Sequence, residues 1–89
     1  MNTGATEVTS AGTPVPLSTS QIANCAVMVK ANHTNTDLVY IHDPAGDSSE
    51  AMHLSKDEAI IFDFVGNLNS IYVDAAVNSE GVRWALLKV

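Results

Sequence analysis

Three histidines, His33, His42 and His53, are the first residues to test for chemistry, because imidazole binds metals and titrates near neutral pH. Their spacings, nine and eleven residues, match no helical or knuckle-type ligand pattern. His42 and His53 flank residues 44–50, so with Asp43 two imidazoles and a carboxylate have a route to one metal. The simpler reading makes all three ordinary surface or interface histidines. The run Asp43-Pro44-Ala45-Gly46-Asp47-Ser48-Ser49-Glu50 offers oxygen ligands at its first, fifth and eighth positions. A calcium loop wants ligands at alternate positions and a glycine at the bend, so the match is partial.

Nucleophilic catalysis finds less support. Serine, histidine and aspartate are present, but there is no Gly-x-Ser-x-Gly elbow and no glycine-rich phosphate loop. Cys25 sits within an apolar alternation and reads as an inert core residue. As the one cysteine of the chain, it excludes an internal disulfide. A chain of 89 residues also has little room to enclose a substrate. The expectation is a non-enzymatic protein with no catalytic residue, no metal ligand set and no cofactor.

Charge narrows the partners. Four Lys and Arg stand against ten Asp and Glu, a net charge of −6. The cations Lys30, Lys56, Arg83 and Lys88 are dispersed. Phosphate backbones and anionic membranes select clustered cations, so neither nucleic acid nor a membrane is expected as partner. No segment approaches the ~18 apolar residues that span a bilayer. Residues 1–13 have neither the basic nor the apolar region of a signal peptide, which points to synthesis in a reducing cytoplasm. A chain of this size buries only roughly 60–65% of its unfolded surface, so its core is thin. Self-association is the natural stabiliser.

The elements that must position these residues read as strands. Residues 1–12 carry Gly, Thr, Ser and Asn around an isolated Val8, and are expected to form a flexible arm ahead of a single domain over 13–89. Pro14 and Pro16 alternate with Val15 and Leu17, which suits an extended edge segment. Ile22 to Ala31 places Cys25, Val27, Val29 and Ala31 on one face of a half-buried strand. Further strands are expected over 38–43, 51–54, 58–65, 70–77 and 82–89, with turn chemistry between them. Ser55 and Glu58 imitate a helix start, but Ile60-Ile61-Phe62-Asp63-Phe64-Val65 is strand sequence. Six or seven short strands without a helix predict an all-β fold, a small antiparallel β-sandwich or jelly-roll-like barrel.

Most of the aromatic surface (Trp84, Tyr72, Tyr40, Phe62 and Phe64) is expected in the core. Tyr40 and Tyr72 lie opposite the more apolar faces of their strands and are candidates for an interface. Val8, Val15 and Leu17, in and beside the arm, are the other candidate interface residues.

The segments Gly12-Thr13-Pro14-Val15-Pro16-Leu17, Val27-Met28-Val29-Lys30-Ala31-Asn32 and Val39-Tyr40-Ile41 occur in that order. Leu54-Ser55-Lys56-Asp57-Glu58, Leu68-Asn69-Ser70-Ile71-Tyr72-Val73-Asp74-Ala75 and Gly81-Val82-Arg83-Trp84-Ala85-Leu86 follow them. The ordered set, over residues 12–89, resembles small β-sandwich virion structural proteins of tailed bacteriophages, among them capsid decoration (cement) proteins and head-fibre or tail modules. Two turn positions depart from that pattern: Lys56-Asp57 stands in place of Pro-Gly, and His42 in place of glycine. The resemblance implies a homotrimer on the capsid surface of the virion, made in the host cytoplasm and bound to the major capsid protein at three-fold junctions. The segment from Glu7 to Leu17 would then reach across a seam or pair with a neighbouring edge. A head-fibre base or tail module is the first alternative. A carbohydrate-binding sandwich, stacking sugars on Trp84 or Tyr40, is the second.

Overall fold

A computed structural model describes residues 3–19, 21–44 and 51–88. In chain order its strands are β1 (Thr3–Val8), β2 (Val15–Pro16), β3 (Ala23–Ala31), β4 (Val39–His42), β5 (Met52–Leu54), β6 (Ala59–Asn67), β7 (Tyr72–Ala75) and β8 (Glu80–Lys88). One 3-10 turn, Leu68–Ser70, joins β6 to β7. They build two four-stranded sheets: sheet A in the order β1-β8-β3-β6, and sheet B in the order β2-β7-β4-β5. Every pairing is antiparallel. The protein is a small all-β sandwich.

Alternation decides which side chains meet between the sheets. Cys25, Val27, Val29 and Ala31 of β3 are buried, as are Val82 and Leu86 of β8. Val39 and Ile41 of β4 and Val73 and Ala75 of β7 close on them from sheet B. The core is aliphatic. Phe62 and Trp84 only pack against its margin, and Phe64 is 70% exposed. The expectation of an aromatic core is therefore corrected: Val, Leu, Ile, Ala and Cys side chains fill the space between the sheets.

The arm expected over 1–12 is also corrected, because Thr3–Val8 pairs residue by residue with β8, from Thr3 opposite Ala85 to Val8 opposite Glu80. Met1 and Asn2 lie outside the described residues. The inward positions of this strand are Gly4, Thr6 and Val8, of which only Val8 is an apolar side chain. A Cβ on Gly4 would lie 2.4 Å from the Trp84 ring, so the glycine is the space that the indole occupies. A Cβ on Gly81 would lie 2.0 Å from the Thr6 carbonyl oxygen, so β8 can approach β1 this closely only with glycine there.

The Ser55/Glu58 pair closes a turn rather than a helix. Glu58 N–H donates to the Ser55 carbonyl at 2.9 Å, and Ser55 N–H donates to Glu58 Oε1 at 2.6 Å. Asp57 has φ 67, the left-handed conformation that glycine adopts freely. It stands where the resemblance placed glycine.

Side chains pin the loops. Asn35, buried in the β3–β4 connection, donates from Nδ2 to the Gly81 carbonyl at 2.9 Å. Its Oδ1 accepts from Gly81 N–H at 3.3 Å, so one amide side chain pairs with Gly81 as a strand would. Asp74 Oδ1, also buried, accepts from Gly12 N–H and Ala75 N–H. The Glu80 carboxylate accepts from Thr36 N–H and Thr36 Oγ1, and more weakly from Asp37 N–H.

Candidate functional site

Two outward faces carry the chemistry. On sheet B, the register sets His53 beside Tyr40, Tyr40 beside Asp74, and His42 beside Tyr72. The Tyr40 and His53 rings meet edge to face, with centroids 5.3 Å apart at 84°. His42 and Tyr72 stack at 6.4 Å and 27°. Four rings from three strands thus make one platform, with Pro16 beside Tyr72 on the edge strand. His42 Nδ1 lies 2.7 Å from the Asp43 carbonyl; a carbonyl only accepts, so Nδ1 carries the hydrogen. Nε2 is buried, and among the described residues it has no hydrogen-bond partner.

On sheet A the outward row runs Thr3, Ala85, Met28, Ile61 across all four strands, and the next row is Ala5, Arg83, Lys30, Ala59. Both β3–β6 and β3–β8 shift register near Ala26, which bends the strands beside Asp63, Phe64 and Leu87. Ile61 (56% exposed), Phe64 and Leu87 (49%) leave three large apolar side chains in water. Strands β3 and β8 hold three of the four cations, Lys30, Arg83 and Lys88. Lys30 Nζ lies 3.8 Å from Asp57 in an exposed ion pair. A surface hollow of about 440 Å³ lies along this face between Thr3, Met28, Lys30 and Trp84.

The candidate interface residues divide. Tyr40 and Tyr72 are half-buried members of the ring platform, and Val15 is half-buried on β2. Val8 and Leu17, at 0% and 2% exposure, belong to the chain's own core and are corrected as interface candidates. Alternation alone does not show which apolar residues of an edge segment turn inward. Ile61, Phe64 and Leu87 were missed, because strands with aromatic and branched side chains read as core.

The histidines also divide. His42 and His53 share the platform, whereas His33 lies in the β3–β4 connection. Among the described residues no three His, Cys, Asp or Glu side chains gather as a metal set. Residues 45–50, with Asp47 and Glu50, lie outside the described residues, so the calcium-loop reading rests on Asp43 alone. Trp84 is half-buried and packs on the core beneath β1, against Gly4. Among the described residues no helix is long and apolar enough to cross a membrane.

Compared with family models, curated proteins and solved structures, the chain has no match. The reading of its function therefore rests on these two faces and on the sequence resemblance.

Proposed function

We propose that this protein is a virion structural protein of a tailed phage, a capsid decoration (cement) protein. It works by assembling with copies of itself and with the outer surface of a capsid shell. The observation that carries this reading is the outward face of sheet A, where exposed Ile61, Phe64 and Leu87 and half-buried Met28 present apolar side chains to water on an acidic chain. Exposed apolar patches mark protein contacts. Small, repeated clamps that bury such surface hold neighbouring shell subunits together, and linked contacts add avidity. A head-fibre base or tail module uses the same chemistry at another place in the particle.

The test compares undecorated phage shells with and without the purified protein. The expected result is co-sedimentation and a higher temperature of shell disruption. Equal resistance to heat and to low magnesium in both samples would overturn the reading. A carbohydrate-binding module is the second reading, favoured by the Tyr40, His42, His53 and Tyr72 rings on sheet B. A titration of the protein with a panel of oligosaccharides, followed by NMR at those four residues, decides for or against it.

A further inference from the structure

A sandwich of two open sheets has four edges, and three of these are blunted. Strand β2 is two residues long and ends in Pro16, which has no N–H to offer. Strand β5 is three residues long. Strand β1 carries Gly4, two threonines and Glu7, with no exposed large apolar side chain. Strand β6 is different: it runs for nine residues, Ala59–Asn67, with Asp63 its one charge, and it pairs regularly from Ala59 to Phe62 ahead of the bulge at Asp63 and Phe64. Its backbone pairs with β3 on one side, and among the described residues nothing pairs with the other. Exposed Ile61 and Phe64 flank Asp63, while Ile60 and Phe62 are only partly covered from within. Long, apolar, unpaired edges are what soluble proteins otherwise avoid, because such an edge templates another strand.

We propose that β6 is the self-association strand, pairing edge to edge and antiparallel with β6 of a second copy. This deepens the assembly reading above and rests on it. One register suits both faces and the charges. With Ile61 on the two-fold axis, each Ile60 lies opposite the other copy's Phe62 on the inward face. The two Ile61 side chains meet on the outward face, and each Asp63 lies opposite an Ala59. Ala59 is the cross-strand neighbour of Lys30 within its own sheet, so the carboxylate of one copy approaches the ammonium of the other, twice. A shift that centres the axis on Asp63 would instead set two carboxylates face to face. Two chains of net charge −6 meet most easily along a strand with a single acid. Such a contact is isologous and closes at two copies, against the three that the resemblance implies.

The test begins with light scattering across a dilution series, where the expected species has twice the 9.4 kDa chain mass. Ile61→Lys, at an exposed position, is expected to give a monomer with an unchanged circular dichroism spectrum. Leu87→Lys, exposed on β8, is expected to leave the doubled mass intact. In a Cys25→Ala background, Ile61→Cys is expected to cross-link under mild oxidation. Antiparallel partners have Cα atoms roughly 4.5–5.5 Å apart, within disulfide reach. Ile60→Cys, whose partner is Phe62, is expected not to cross-link. A triple mass, or cross-linking of both cysteine variants alike, overturns the pairing while leaving the assembly reading standing. A wild-type monomer at every concentration also overturns the pairing, and one that binds no shell overturns the assembly reading with it.

Discussion

The strands of sheet A run to six and nine residues, whereas those of sheet B stop at two to four. A nine-residue strand satisfies its backbone in the ladder and needs little help. A four-residue strand ends almost as soon as it begins, and its flanking loops must be held by something else. Here side chains do that work: Asn35 on Gly81, Asp74 on Gly12 and Ala75, Glu80 on Thr36. Sheet A is thus held by repetition and sheet B by individual bonds. The same division appears outside, where sheet A exposes Ile61, Phe64 and Leu87 and, among the described residues, one long unpaired edge, and sheet B exposes paired Tyr and His rings and short edges.

The largest effect on this division of labour is expected from Asn35→Ala. It would leave the buried Gly81 N–H without its partner and remove a donor from the Gly81 carbonyl, a loss of about 2–3 kcal/mol. Urea denaturation measures the loss, and hydrogen exchange locates it. Amides of β4 and β7 are expected to lose protection before those of β3 and β8. Equal loss in both sheets would show that the division is false.

A smaller effect, of opposite sign, is expected from Asp57→Gly in the β5–β6 turn. The left-handed φ of Asp57 strains an L-residue, and glycine relieves it. The exposed ion pair to Lys30 given up in exchange is worth little. Stability is expected to rise by about 0.5 kcal/mol, seen as a higher melting temperature. A fall would mean that the ion pair outweighs the strain.

The mildest test uses pH. Desolvation pushes the Glu80 carboxyl upward, but hydrogen bonds from the Thr36 side chain, Thr36 N–H and Asp37 N–H outweigh it and hold it below the usual 4.5. The folded protein then binds this proton more weakly than the unfolded chain does. Its contribution is present above the unfolded value and is lost as pH falls through the folded one. Melting temperature is expected to drop between about pH 5 and about pH 3, and Glu80→Gln to flatten part of that slope. An identical slope in the variant would remove Glu80 from the set of pins.

Much of this was legible in the residues. The strands from Ile22 onward, the inward set Cys25, Val27, Val29 and Ala31, and the antiparallel sandwich all follow from alternation. Strand β1 was not legible, because Gly4 and Thr6 face inward where apolar side chains announce a strand. Trp84, eighty positions later, supplies the bulk that Gly4 omits. The turn residues Asn35 to Asp37 read as local chemistry, and nothing near them signals a bond to Gly81. The platform of Tyr40, Tyr72, His42 and His53 needed the register of three strands, which no single strand encodes.

The seat of Trp84 beneath β1 has a practical consequence. It is the one tryptophan of the chain, the residue is half-buried, and the strand covering it carries glycine at the point of contact. Peeling of residues 3–8 from β8 would wet that ring and leave the rest of the sandwich dry. The intrinsic emission of the protein is therefore a built-in optical gauge of its first strand. A red shift ahead of global unfolding would time the departure of the N-terminal segment without any added label.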